Sequence, residues 1–310
     1  MTLSDGSELK PICVLDACTI INLACIDIES QNDFIIKKLI EYYRLNVTEK
    51  VMAESIKNGN LRADKIGSIN DESKKENEKK ISYLKKEIGK KISYFRRFSK
   101  PNEIFFKDRG KNFFTEIRNL TGYNKENGEF YSTALSLNLS RIHRMPVTFY
   151  TDDKPAERDF TPFFREQQVG KIEDSIDLLV FLYWLNPDIK KKDLDNSLSE
   201  LQSHYACSVK ELLSFVRKYK DSRKYKGFKK IKNLLDELEQ KLERLNFMGI
   251  LELRKNILKN KKTHPELCNI IEKYDEVFKL DAGQEIGDFL NKIRKTRNNL
   301  KKDLLFKLDL

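Results

Sequence analysis

Apolar residues recur along this chain with two different periods, and the places where one gives way to the other outline a fold. Ile12-Cys13-Val14-Leu15 is an unbroken apolar run, and Pro146-Val147-Thr148-Phe149-Tyr150-Thr151 is a second. Short runs of this kind suit strands covered on both faces, as in a parallel sheet. Arg44 to Val47 and Gln167 to Val169 read as two further short strands. Between them the spacing is helical. The first strand is followed by a helix from about Thr19 to Ala24, and Phe34, Ile35, Leu39, Ile40 and Tyr43 mark a second. Val51 to Ile56 is a short helix, Gly128 opens another at a turn, and Ile172 to Leu185 is apolar enough to pack on the sheet. Strands alternating with helices predict an α/β fold, a parallel sheet flanked by helices.

From Lys57 the pattern changes. Ile81, Leu84, Ile88, Ile92, Phe95 and Phe98 fall three and four apart, which predicts a long amphipathic helix whose other face is Lys-Lys and Arg-Arg doublets. This stretch reads as an arm outside the core, an insertion over residues 57–126 of a domain spanning 1–188. Phe105-Phe106 and Phe113-Phe114 lie around Lys107, Arg109 and Lys111. Such pairs either stack bases while the cations hold phosphates or dock the arm onto its own domain. Beyond Asn186-Pro187 everything looks helical, with segments near 190–220, 228–246, 249–260, 265–280 and 284–308. Residues 189–310 therefore form a basic, all-helical C-terminal region, and no repeat of fixed period is present.

Charge sharpens this division. The net charge is +11, yet residues 57–118 carry +9 and residues 217–310 carry +10, leaving −8 for the rest. An acidic body bears two basic appendages. Clustered Lys and Arg reward phosphate neutralisation, so nucleic acid is the favoured partner, ahead of an acidic protein or a membrane surface. The five cysteines, Cys13, Cys18, Cys25, Cys207 and Cys268, are odd in number and show no C-x-x-C spacing. That argues against a disulfide framework or a zinc site and for thiols in a reducing compartment. No apolar run approaches the roughly 18 residues of a spanning helix, and the N-terminus lacks the pattern of a leader, so a cytoplasmic protein without a membrane anchor is expected.

Chemistry gathers on the acids of the body. Asp16 ends the first strand, where a carboxylate either caps the next helix or faces the crevice in which α/β sheets collect ligands. Glu54 lies on the helix after the second strand. Glu129 sits in the first turn of the Gly128 helix, where the dipole alone favours an acid. Asp152 and Asp153 follow the strand ending at Thr151, and two adjacent carboxylates there are better explained by a cation than by capping.

In this order the motifs Val14-Leu15-Asp16, Val51-Met52-Ala53-Glu54, Gly128-Glu129 with Ala134, and Thr151-Asp152-Asp153 resemble those of the PIN-domain family. The Asp-Asp-Lys-Pro-Ala-Glu-Arg run from Asp152 looks most like its toxin-related branch. The resemblance covers about residues 11–56 and 127–185. Two features depart from it: Cys18 stands where a small hydroxyl residue is common, and the interruption between the second and third acids is unusually long.

The resemblance implies a PIN-like sheet and a divalent-metal-dependent nuclease, usually acting on RNA, whose acids gather one or two Mg²⁺ or Mn²⁺ ions. Hard cations prefer carboxylate oxygens, which suits a chain whose three histidines, His143, His204 and His264, have no ligand spacing. Asp16 and Glu129 are the expected central ligands, Asp153 a direct or water-mediated one and Glu54 an outer one, with Asp152 or Asp153 taking the fourth position. By analogy the products carry a 5′ phosphate and a 3′ hydroxyl. Four carboxylates repel a polyanion, so Arg96, Arg97, Lys107, Arg109, Lys154 and Arg158 are candidate phosphate contacts. Analogy also suggests a toxin or defence effector held by an inhibitory protein partner. The basic tail is left open between nucleic acid, a partner protein and a second copy of the chain, a homo-oligomer. The rival readings are a catalytically inactive scaffold of the same fold and a DNA-directed nuclease.

Overall fold

The computed structural model describes residues 10–29, 34–67, 74–222, 229–244, 246–278 and 285–305. Its strands are β1 (Ile12–Leu15), β2 (Arg44–Asn46), β3 (Val147–Tyr150) and β4 (Gly170–Glu173). They form one sheet in the order β2-β1-β3-β4, and every pairing is parallel. β1 and β3 are the central pair, with Leu15 opposite Tyr150. Consecutive strands pass to opposite sides at this pair, which makes it the switch point where a crevice opens beyond the strand ends. β4 begins three residues later than expected. Gln167 still caps the preceding helix, and Gly170, at φ +146°, brings the chain so close to Val147 that a Cβ would lie 2.0 Å from its carbonyl oxygen.

The helices of the sheet domain are α1 (Ala17–Glu29), α2 (Phe34–Tyr42), α3 (Glu49–Gly67), α4 (Lys74–Ser93), α5 (Lys100–Thr121), α6 (Gly128–His143), α7 (Lys154–Glu166) and α8 (Ser175–Leu185). The two-residue pleat sorts the sheet's faces. Ile12, Val14, Val147 and Phe149 join Phe130, Ala134 and Leu135 of α6 and Phe160, Phe163 and Phe164 of α7 in one buried cluster. On the other face Tyr43 meets Tyr150 and Phe181 through ring contacts. α8 starts on a capping box, with Asp174 and Asp177 each accepting from the other's backbone, and is apolar on nearly every side.

The insertion corrects the expectation of an arm outside the core. α4, a 3₁₀ turn (Tyr94–Phe98) and α5 follow one another. Ile88, Ile92 and Phe95 are at most 1% exposed. Gly59 of α3 makes room for them, since a Cβ there would lie 2.9 Å from Ile92 Cδ1. Burying three such side chains contributes about 1.5–3 kcal/mol each, so α4 is a core element with one wet face. Phe114 packs on Phe130 and Tyr131, which settles the second aromatic pair as a docking contact. The side chains of Phe105 and Phe106 lie outside the described residues.

The chain divides into two compact units, residues 1–201 with 299–310, and 202–298. The remaining helices are α9 (Lys191–Tyr205), α10 (Cys207–Asp221), α11 (Lys229–Glu243), α12 (Ile250–Leu258), α13 (Pro265–Lys273), α14 (Asp275–Phe278) and α15 (Glu285–Lys301). The segment expected as one helix over 190–220 is broken at Ala206. Within the second unit Ile231, Leu235, Leu238 and Leu242 form a buried stripe. Arg217 and Lys220 pair with Glu239 at 3.0 and 2.5 Å, so part of the tail's positive charge is spent internally. His264 is a core residue, its Nδ1 2.9 Å from the Tyr219 hydroxyl. Among the described residues no helix is long and apolar enough to cross a membrane.

Candidate functional site

The ladder between β1 and β3 runs one step past the strands, because the Asp16 amide donates to the Tyr150 carbonyl at 3.0 Å. That bond fixes the Asp16 backbone at the switch point and aims its side chain beyond the sheet edge. Oδ2 accepts from the Cys18 thiol at 2.9 Å and from the Thr151 hydroxyl at 3.1 Å. Oδ1 is buried and has no hydrogen-bond partner. Burial pushes the Asp16 carboxyl up to about 6, against the pull of the Cys18 and Thr151 donors and of the neighbouring Ala17 amide, which forms no hydrogen bond to Oδ1, and the Glu54 charge adds to the rise.

Glu54 stands one turn into α3 and takes the Gly128 amide on both oxygens, at 3.2 and 3.1 Å. Gly128 leaves little room for a side chain: a Cβ would lie 2.5 Å from Glu54 Oε2 and 3.3 Å from Asp16 Oδ1, so the Glu54 carboxylate would have to shift. The two acids therefore meet over its Cα. Burial raises the Glu54 carboxyl too.

Glu129 is next in line, half-buried at the start of α6, and its Oε2 is a second buried oxygen without a partner. Burial and then the charges of Asp16, Asp153 and Glu54 push this carboxyl up to about 8. Asp16, Asp153 and Glu54 thus all lie near enough for their charges to act on this one side chain.

The adjacent aspartates have different lives. Asp153 Oδ1 caps α7 by accepting from the Ala156 amide at 3.1 Å, and the Asp153 amide donates to Thr151 Oγ1 at 3.2 Å. Asp152 turns the other way: its carboxylate accepts from the Ser175 amide at 2.7 Å, the Ser175 hydroxyl at 2.6 Å and Asn22 Nδ2 at 2.5 Å. Its own amide donates to Cys18 Sγ at 3.1 Å. Local bonding, capping included, thus accounts for much of a pair that the sequence suggested a cation would explain better than capping.

Asn22 and Ser175 are site residues that the sequence reading did not single out, and Thr151 entered it only as part of the Thr151-Asp152-Asp153 motif, with no role of its own. Thr151 ties Asp16 to Asp153 through one hydroxyl. Asn22 carried a faint signal, a polar residue inside the apolar stretch Ile20 to Leu23, and it is only 1% exposed. Cys18 replaces the expected hydroxyl with a thiol that still donates to Asp16, and burial with the neighbouring Asp16 and Asp152 charges raises its pKa.

The cationic candidates are scattered. Lys154 is held by Glu157 at 2.5 Å and Asp174 at 3.8 Å. Arg158 points outward, with Asp159 its partner at 3.1 Å. Arg96 and Arg97 are exposed on the 3₁₀ turn, Arg97 over the Phe98 ring at 4.8 Å. Lys107 and Arg109 lie on α5, and their side chains are outside the described residues.

Orphaned buried oxygens and carboxylate-only chemistry fit a hard divalent cation. Among the described residues no three His, Cys, Asp or Glu side chains are already gathered tightly enough to hold one, so an ion would have to draw the mutually repelling carboxylates inward. Comparison with family models, curated proteins and solved structures finds no match. The fold and the acid pocket carry the functional reading by themselves.

Proposed function

We propose that this chain is a PIN-like nuclease that hydrolyses phosphodiester bonds in RNA with Mg²⁺ or Mn²⁺. The observation that carries the reading is the pair of buried, partnerless oxygens, Asp16 Oδ1 and Glu129 Oε2, in a pocket where Glu54 and Asp153 add their charge. Burying unpaired charge costs several kcal/mol, and a fold keeps such an arrangement where a ligand offsets it. Asp16 and Glu129 would hold the cation, with Asp153 on the open side. A bound ion would supply a water of lowered pKa and offset the charge developing on the leaving oxygen. Glu54 keeps α3 and α6 in register through Gly128 and limits how far Asp16 can swing. Cys18 and Thr151 hold Oδ2 of Asp16 so that Oδ1 is the oxygen presented. Asp152, saturated by Asn22 and Ser175, serves as a brace for the strand end, which favours Asp153 as the fourth acid.

The test is cleavage of labelled single-stranded RNA by the purified protein in Mn²⁺, Mg²⁺ or chelator, beside Asp16→Asn and Glu129→Gln. The expected result is cation-dependent cleavage lost in both variants, with 5′ phosphate products; a parallel single-stranded DNA assay decides the nucleic acid. Cleavage that survives both substitutions or chelation overturns the proposal, and absence of cleavage with every cation would favour the scaffold reading.

A further inference from the structure

α4 divides cleanly into a dry and a wet face, and the wet face has a composition of its own. Ile88, Ile92 and Phe95 point inward with Lys91, which is 6% exposed. Lys79, Tyr83, Lys86, Lys90, Tyr94 and Arg97 follow one another at steps of three and four, and all six are exposed. Residues at that spacing share one face of a helix, so they form a single ridge along α4 and the 3₁₀ turn. At 1.5 Å per residue it runs about 27 Å. Tyr83 and Tyr94 are 58% and 37% exposed. Lys85, on the flank, is spent on Asp64 at 2.7 Å. None of Lys79, Lys86, Lys90 and Arg97 is ion-paired with a described residue.

The end of this ridge is anchored beside the acid pocket. Just past Arg97, the Ser99 hydroxyl donates to Glu49 at the start of α3, the helix that carries Glu54. Asn102 Nδ2 then donates to the Val47 carbonyl at 2.9 Å, immediately beyond β2. The Arg97 end therefore lies at the edge of the sheet where the strands run out, which is also where Asp16 and Asp153 stand.

We infer that this ridge is a binding track for single-stranded RNA, cations on the phosphates and Tyr83 and Tyr94 under the bases, leading the strand toward the carboxylates. The inference rests on the nuclease reading for its direction but not for binding itself. Cations alone would suit any polyanion. Two exposed tyrosines spaced among them add the stacking surface that unpaired bases use, whereas a duplex or an acidic peptide has no call for it. An acid pocket also repels phosphates, so a strand reaching it needs positive charge close by.

Binding is measured by fluorescence anisotropy of a labelled single-stranded RNA with the full chain in chelator, where cleavage plays no part. Lys79→Gln, Lys86→Gln and Lys90→Gln combined should weaken binding about tenfold or more and flatten its salt dependence by about two in log–log slope. Tyr83→Ala with Tyr94→Ala should weaken it by about thirtyfold or more while leaving that slope unchanged. All five positions are exposed, and matching melting curves establish that the variants fold. RNA affinity unchanged in both sets overturns the track. Equal affinity for duplex, with no effect of the tyrosine pair, overturns its single-strand character, and a loss confined to anionic vesicles or acidic peptides assigns the ridge elsewhere. A wild type that binds through the ridge but cleaves with no cation upholds the track and removes the nuclease reading.

Discussion

Replacing Glu129 by Gln should stabilise the protein when no divalent cation is present, and the sign of that effect depends on pH. The Glu129 carboxyl is held up to about 8, first by burial and then by Asp16, Asp153 and Glu54. A carboxyl whose folded-state pKa lies above its unfolded value keeps its proton longer in the fold. Its stabilising contribution is whole below the unfolded value of about 4.5 and is lost as pH climbs toward 8. Between pH 4.5 and 7.5 the full loss would be about 4 kcal/mol at 1.36 kcal/mol per pKa unit. Asp16 titrates against the same charge and Glu129 is only half-buried, which brings the expected figure to about 2 kcal/mol. Gln carries no charge at any pH and escapes the loss.

The assay is thermal unfolding of wild type and Glu129→Gln in chelator at pH 5 and pH 7.5. The two should melt together at pH 5, and the variant should melt roughly 4 °C higher at pH 7.5. Adding Mn²⁺ should reverse the order at pH 7.5. An ion at one hundred times its dissociation constant stabilises the wild type by about 2.7 kcal/mol and gives the variant far less. A variant no more stable than wild type at pH 7.5 in chelator would refute the crowding of charge around Glu129. Equal stabilisation of both proteins by Mn²⁺ would refute its place in a cation site.

Gly128→Ala should cost about 1–3 kcal/mol in denaturant unfolding and abolish cleavage, because the new methyl lies 2.5 Å from Glu54 Oε2; a stable, active alanine variant would show that the two acids do not meet there. Asp152→Ala should destabilise the fold by about 2–4 kcal/mol, since it strands the Ser175 and Asn22 donors, whereas Asp153→Asn should fold normally and lose Mn²⁺ binding by calorimetry. The reverse pattern would make Asp152 the ligand. Ile92→Ala should cost about 2–4 kcal/mol, as in a core helix; a loss under 0.5 kcal/mol would return α4 to the status of an arm.

How far the sequence led depended on whether neighbours in space were also neighbours in pattern. β1 and β3 were legible because a strand covered on both faces must be continuously apolar, and Asp16 and Asp153 then follow from where those strands stop. α7 was not recognised: Pro162 lies inside it and reads as a helix breaker, and its buried Phe160, Phe163 and Phe164 lie among charges. The same charge masked α4, whose Lys-rich composition suggested a solvated arm although a stripe of isoleucines sat on its other side. Composition averages over both faces of a helix, while packing is decided by one, and nothing in the sequence of α4 announced that Gly59, some thirty residues earlier, had cleared a surface for it. The site shows the same limit. Its charges could be ranked by strand ends and helix starts, but the neutral donors that aim them could not. Asn22, Thr151 and Ser175 matter because β1, β3 and β4 lie side by side, an adjacency that no spacing along the chain encodes. The difference between Asp152 and Asp153 follows from their donors: identical side chains, one step apart at the strand's end, are bound differently, one by the closed set of Ser175 and Asn22 donors and the other by the Ala156 amide in the first turn of α7.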